Sequence, residues 1–317
     1  MNGRLKVPAQ QTTSMKQPTN HTNWQIWWQL LRPVTLTASI IPVLIGTALA
    51  AHSGPVHMGL FTAMLTASVL IQAATNMFNE YYDFKRGLDT EDSVGIGGTI
   101  VRYGVAPRVV LTLGIIFYAI AVLLGVYICV NSSWWIAVIG SICMLAGYLY
   151  TGGPYPIAYT PFGELAAGFF MGIGIILLTF YIQSGEVTLE SLLISIPIAI
   201  LIGAILMANN IRDLDGDEER GRQTLAILLG RQRAIYFLSG MFASAYLWTI
   251  GLVIFAGCTP WLLLVIFSVP KSVQAVKRFQ GQTEPIKMMP AMKATAGLNT
   301  LFGVLFSIGL LVHYWLP

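Results

Sequence analysis

The sequence predicts an all-α, polytopic membrane protein of nine transmembrane helices around a central chamber, with its N-terminus in the cytoplasm. Three observations carry that reading. First, 55% of the 317 residues are hydrophobic and only 10% are charged, whereas a soluble domain carries roughly 25% charged residues; the mean hydropathy is +0.68. Second, nine apolar runs approach the length of about 20 residues that a helix needs to cross the hydrocarbon core. They lie at 34–52, 57–78, 107–130, 133–151, 162–183, 188–209, 233–256, 258–275 and 295–316. Third, with the N-terminus inside, all 18 Lys and Arg fall in 1–33, 79–106, 152–161, 210–232 and 276–294 or at their edges. The loops on the other side ("HSGPV", "NSS", "QSGEVT" and "GCT") hold none, as the positive-inside rule requires.

Residues 1–23 are polar and lack the apolar core of a signal peptide; they read as a disordered tail, ahead of a single transmembrane domain over 24–317. In "NWQIWWQLLRP", 23–33, Trp24, Trp27, Trp28 and Leu31 share one helical face. That suits a helix lying at the headgroup level, or else the aromatic start of the first span. Within that span Pro42 and Gly46 are expected to bend the helix or let a neighbour approach. "GFFMG" at 168–172 has the small-xxx-small spacing of helix packing. The eighth span is the weakest, because Pro270 and Lys271 interrupt it. Cys129, Cys143 and Cys258 stand singly and His21, His52, His57 and His313 lie on the tail or the outer face, so neither a disulfide framework nor a haem or zinc site is expected.

Ten of the 14 acidic residues crowd into two places, "NEYYDFKRGLDTED" from Asn79 and "NNIRDLDGDEERGRQT" from Asn209. Each follows a long apolar run, the second and the sixth, and the paired motifs span 76–92 and 209–224. Asn79 and Asp83 are four apart, with Gly87 four further on; Asn209, Asp213 and Asp217 keep the same step. Residues at i and i+4 share a helical face, so each motif presents an amide and a carboxylate in one column. Asn76 joins the first column, and Asn210 and Asp215 lie off the second. Asp89, Glu91, Asp92, Glu218 and Glu219 read as solvated loop charges. The columns need a cause, because the C-terminal end of a helix disfavours carboxylates. Two facing acidic columns also repel unless a cation lies between them. Asp and Asn oxygens suit Mg2+, which takes one or two carboxylates together with substrate phosphate oxygens. Lys85, Arg86, Arg212, Arg220 and Arg222 lie close by in sequence. Arg102, in "GIGGTIVRYG", joins them if that loop approaches a phosphate through its backbone N–H groups; the alternative is a flexible turn. A prenyl diphosphate fits this combination, since its tail wants the bilayer and its head wants metal.

The chain resembles the UbiA superfamily of intramembrane aromatic prenyltransferases over about residues 30–316. That family has nine transmembrane helices and two NxxxDxxxD-type motifs on loops after helices two and six. The second motif here keeps the full pattern in Asn209, Asp213 and Asp217. The first departs from it, with Gly87 in the third acidic place and Asp89 two residues later. "RPVTLTASIIPVLIGTALA", "YTGGPYPIAYTPFGELAAGFFMG" and "NNIRDLDGDEERGRQTLAILLGR" look like the branch that prenylates 1,4-dihydroxy-2-naphthoate in menaquinone synthesis. The resemblance implies Mg2+-dependent transfer of a polyprenyl chain to that ring with loss of its carboxylate. It places Asn79, Asp83, Asp89, Asn209, Asp213 and Asp217 at the metal, with Asp83, Asp213 and Asp217 catalytic, in a bacterial plasma membrane near the cytoplasmic face. Charge and position add Lys85, Arg102 and Arg212 on the diphosphate. Tyr150, Tyr155 and Glu164 are expected on the acceptor side, although Tyr is also ordinary membrane-belt composition. The expected partners are a polyprenyl diphosphate, an aromatic acceptor and the bilayer. Nothing points to nucleic acid or to a protein partner.

Other acceptors such as 4-hydroxybenzoate, chlorophyllide or haem are alternatives within the family. A phosphatidyl-alcohol transferase is disfavoured because "DLDGDEERG" lacks the small residue and Arg expected after "DG". An ion-coupled transporter would place its acids at the membrane midplane rather than at one face.

Overall fold

The computed structural model describes residues 23–88 and 98–315, and these form helices and connecting loops. In chain order the helices are α1 (Asn23–Leu31), α2 (Pro33–Ala50), α3 (Met58–Lys85), α4 (Thr99–Tyr103), α5 (Pro107–Asn131) and α6 (Trp135–Thr151). They continue with α7 (Gly163–Ala167), α8 (Ile175–Ser184), α9 (Leu189–Glu219), α10 (Leu225–Leu229), α11 (Arg231–Phe255), α12 (Val269–Phe279) and α13 (Pro285–Trp315). Seven segments among the described residues are long and apolar enough to cross a membrane: α2, α3, α5, α7–α8 as one rod, α9, α11 and α13. The expected fourth span is α6, with 17 residues. The expected eighth is a 3₁₀ helix, Pro260–Ser268, that passes into the amphipathic α12 with Pro270 in its first turn. Pro is tolerated at the start of a helix but not inside one, so the residues that weakened this span in the sequence mark its change of helix type. The chain is a multi-pass membrane protein. Of the expected tail, residues 1–22 lie outside the described residues, and Asn23 opens α1.

α1 is a helix of its own. Arg32, left-handed at φ 50 and ψ 62, separates it from α2. The residue before Pro is disfavoured in the right-handed region, so the Arg32–Pro33 step breaks the rod. Trp24 and Trp28 stay 69% and 50% exposed, consistent with the interfacial reading.

α9 is the central post. Its start is fixed by a capping box, in which Ser191 N–H donates to Thr188 Oγ1 and Thr188 N–H to Ser191 Oγ, both at 3.1 Å. Pro197 removes one N–H inside the helix and so frees the carbonyl four residues back. Trp248 of α11 donates its indole N–H to that carbonyl, Leu193 O, at 3.0 Å. In lipid no water replaces a lost backbone partner, so the Pro and the Trp form one unit.

Small residues set the helix spacing. Gly168–Gly174 forms a π-helical turn between α7 and α8, and it packs on α9 at Ala199. A Cβ on Gly172 would lie 2.4 Å from Ala199 Cα, and one on Gly168 2.6 Å from Ala199 O. A Cβ on Gly46 would lie 2.7 Å from Ile176 O of α8. Both packing expectations from the sequence hold. Close backbone approach replaces the hydrophobic drive that is missing between helices in lipid. Gly172→Ala is therefore expected to destabilise the bundle by about 1–3 kcal/mol through overpacking. Gly240→Ala, with nothing within 4 Å of its Cβ, should change little. Thermal unfolding in detergent would show the first variant melting several degrees below the second.

Candidate active site

The two acidic motifs are helix ends and not loops. α3 runs past Asn79 and Asp83 to Lys85, and α9 past Asn209, Asp213 and Asp217 to Glu219. Both helices then stop in the same way. Gly87 N–H donates to Phe84 O at 3.0 Å and Leu88 N–H to Asp83 O at 2.9 Å; Gly221 N–H donates to Glu218 O and Arg222 N–H to Asp217 O, both at 3.0 Å. These are Schellman closures, whose pivot residue is left-handed, and Gly87 and Gly221 have φ 70 and φ 78. Gly87 thus stands in the third acidic place of the first motif because the helix ends there in a conformation that glycine adopts freely. Matched by their closures, Asp83 is the counterpart of Asp217, one helical step away from the match that the motif letters suggest.

Arg222 joins these two counterparts. Its Nη2 lies 3.1 Å from Asp83 Oδ1 and its Nη1 3.2 Å from Asp217 Oδ1. All three side chains are at most 15% exposed. Burial works against the guanidinium's charge, yet Asp217 and then Asp83 outweigh it and hold the Arg222 pKa above its ordinary value. The Tyr159 ring lies under the guanidinium at 4.7 Å, with Arg86 at 5.3 Å from the same ring. Gln223 N–H donates to Tyr159 O at 3.0 Å, and Arg86 donates to Thr151 O and, at 2.7 Å, to Gly153 O. The loop that follows α6 is thus fastened to both helix ends at once.

A second buried charge fixes the first motif from the other side. Glu80 is fully buried. Its Oε2 accepts from Arg32 Nη2 at 3.1 Å and Gly98 N–H at 2.8 Å; its Oε1 accepts from Thr99 Oγ1 at 3.0 Å and Ile100 N–H at 3.2 Å. Arg32 also donates to Asn79 Oδ1 at 3.2 Å. One carboxylate therefore ties the α1–α2 corner, the end of α3 and the start of α4 together. Asn76 helps, donating to Leu31 O at 3.1 Å and Thr35 Oγ1 at 3.0 Å.

Beside these helix ends opens a cavity of about 400 Å³. Arg32, Asn76, Asn79, Tyr150 and Asn209 form its polar rim, and residues such as Met64, Val126, Ile136, Phe170 and Met171 its apolar body. The amides of the two columns line it, whereas Asp83, Asp213 and Asp217 are not among its lining residues.

The other expected site residues divide. Tyr150 is on the rim. Glu164 is buried, with Oε1 accepting from Asn210 Nδ2 at 2.8 Å and Oε2 left without a partner. Tyr155 is 90% exposed and lines no part of the cavity. Arg212 is buried, donates to the neighbouring Asp213 through Nε at 2.6 Å, and contacts the sulfurs of Met289 and Met292 of α13. Asp215 pairs with Arg231 at 2.7 Å. Lys85 and Arg102 are exposed, and Asp89 lies outside the described residues. Glu80, Arg32 and Tyr159 were not among the expected site residues. An acid immediately after a motif Asn and an Arg immediately before a Pro were the only local signals for the first two.

The donor set is all oxygen, which suits a hard divalent cation. Asn209 Oδ1, buried and without a hydrogen-bond partner, is an oxygen that such an ion would satisfy. Among the described residues no three His, Cys, Asp or Glu converge closely enough to hold an ion by themselves, so any such ion would need amide or ligand oxygens to complete its shell.

The structure is thus a multi-pass helical bundle that encloses a chamber with an apolar body and a polar rim. The model of the UbiA prenyltransferase family matches residues 39–284, and the chain belongs to that family. It is 57% identical over 298 residues to the 1,4-dihydroxy-2-naphthoate octaprenyltransferase of Bacillus subtilis (strain 168), covering 94% of this chain and 96% of that one. It is 31% identical over 285 residues to the protein of the same name from Mycobacterium tuberculosis (strain ATCC 25618 / H37Rv), with 90% and 96% covered. Its fold matches that of a UbiA homolog from Archaeoglobus fulgidus bound to DMAPP and Mg2+ at TM-score 0.63 and 15% identity, over 89% of this chain and 99% of that one.

Removing one partner of a buried ion pair costs about 3–5 kcal/mol. Glu80→Ala is accordingly expected to lower the unfolding temperature steeply, while Glu284→Ala, whose pair with Lys287 is 57% exposed on both sides, should lower it little. Equal melting temperatures for the two variants would show that Glu80 is not an anchor.

Proposed function

We propose that the protein transfers a polyprenyl chain from an allylic polyprenyl diphosphate to 1,4-dihydroxy-2-naphthoate with loss of CO2, giving demethylmenaquinone, at the cytoplasmic face of a bacterial plasma membrane. One observation carries the reading: two acidic helix ends, 139 residues apart at the Arg222–Asp83 contact, meet beside the amide rim of an apolar cavity. The high identity with a naphthoate octaprenyltransferase supports the choice of acceptor. The clustering of the acids at one end of the bundle disfavours a transporter.

Asn79, Asp83, Asn209, Asp213 and Asp217 would hold Mg2+, with Asp89 as a further ligand. Bound there, Mg2+ would supply positive charge against the departing diphosphate. Arg32 and Arg222 stand at the same place, and Lys85 and Arg102 lie on the surrounding surface. The allylic C–O bond breaks and its electron pair leaves with the diphosphate. The apolar cavity wall keeps water away from the allylic cation. The ring carbon bearing the carboxylate bonds to that cation, and the C–CO2 electrons then return to the ring. Aromaticity is restored without a strong protein base. Tyr150, which lines the cavity, would meet the acceptor.

With the purified protein and Mg2+, 1,4-dihydroxy-2-naphthoate should release one CO2 per prenylated product, and EDTA should stop the reaction until Mg2+ is restored. Preferential consumption of 4-hydroxybenzoate would reject the acceptor. Asp83→Ala and Asp213→Ala should each reduce turnover at least about 100-fold, the loss of about 2.7 kcal/mol of transition-state stabilisation, in protein that still inserts and melts cooperatively. Near-normal turnover in both would reject the site.

A further inference from the structure

We propose that Arg222 is a built-in counter-cation that competes with divalent metal for Asp83 and Asp217 and re-pairs with the diphosphate once the metal arrives. The inference rests on the metal–diphosphate reading above and deepens it. Its first ground is geometric: two different nitrogens of one guanidinium take one oxygen from each counterpart carboxylate, at 3.1 and 3.2 Å. These carboxylates come from the two helices that must share the metal, and a cation placed there already cancels the repulsion that would otherwise force the helix ends apart. Its second ground is that no three acids converge as they stand among the described residues. With Arg222 bonded to both Asp83 and Asp217, an ion has to displace it to gain those oxygens.

The third ground is that the local chain lets Arg222 move without dismantling either helix. It follows Gly221, the left-handed pivot of the α9 closure, so its side chain belongs to a turn and not to the helix. The Tyr159 face at 4.7 Å gives the guanidinium a cation–π contact that does not depend on the carboxylates. Its Nε is buried without a hydrogen-bond partner, so the side chain has a donor to spare for an incoming oxyanion. An Arg guanidinium suits a diphosphate because its planar fork donates two parallel hydrogen bonds. Metal and diphosphate then bind with positive coupling, since each makes the exchange of partners favourable for the other. Free metal is held poorly, and metal arriving with a diphosphate is held well.

The test is Mn2+ binding, followed by electron paramagnetic resonance on the purified full chain, with and without inorganic diphosphate. Arg222→Gln is expected to bind Mn2+ alone at least about 10-fold more tightly than the unaltered protein, and the tightening produced by diphosphate should shrink by a similar factor. Arg222→Lys, which keeps the charge without the fork, should fall between the two; it carries the test if the Gln variant does not insert. Unchanged or weaker Mn2+ binding in both variants, with the diphosphate effect intact, overturns the competition. Absence of Mn2+ binding by the unaltered protein even with diphosphate overturns the metal reading itself, and this inference with it.

Discussion

The ion triad of Asp83, Arg222 and Asp217 is the contact on which the site depends. Two helices that end in carboxylates do not assemble side by side unless the charge between them is cancelled. The desolvation of three charged groups costs several kcal/mol per ion and is repaid only when the partners meet with good geometry. Here one guanidinium meets both carboxylates, from a turn that brings it over both helix ends. Gly221 turns the chain so that Arg222 returns over the end of α9, and Tyr159 lies beneath it. The Glu80–Arg32 pair does the same work on the far side of the first motif. Both helix ends are thus fixed by buried charge as well as by apolar packing, through Ile211 and Leu214 on α9 and Met77 on α3.

The rest of the bundle makes that arrangement rigid enough to matter. Helices in lipid gain little from burying apolar surface against one another, so close backbone contact and satisfied polar groups decide the packing. The π-helical turn at Gly168–Gly174 lets the α7–α8 rod lie directly on α9 at Ala199. The Trp248 bond to Leu193 O closes the gap that Pro197 opens. α9 is therefore straddled on two sides, and its acidic end is presented at a defined distance from α3. Between the two helices remains an apolar cavity with an amide rim. That shape and polarity suit a substrate with a long hydrocarbon tail and a doubly charged head.

Much of this was legible in the sequence because it is local and periodic. Apolar run length reports apolar helices long enough to span a membrane, and the i, i+4 spacing of Asn209, Asp213 and Asp217 reports a shared helical face. The small-residue spacings at Gly46 and Gly168–Gly172 reported close packing, which the structure bears out. What the sequence hid is non-local. Nothing near Arg222 states that its partner is Asp83, and nothing near Glu80 states that it will receive Gly98, Thr99 and Ile100. Arg212 and not Arg222 was expected on the diphosphate, yet Arg212 lies against Asp213, Met289 and Met292, while Arg222 joins the two helix ends. Tyr155 shared a motif with Tyr150 and lies on the outside. Gly87 read as a missing acid until the closure of α3 showed it to be the residue that ends the helix.

The two helix ends form one binding site only if their carboxylates act on the same ion. A double-mutant cycle of Asp83→Asn and Asp217→Asn, read as Mn2+ affinity in the presence of inorganic diphosphate, addresses this directly. Residues that share one ion should be coupled by more than about 1 kcal/mol, within the range seen for groups in one network. Strictly additive losses would mean that the two carboxylates bind independently, and the shared site would have to be abandoned.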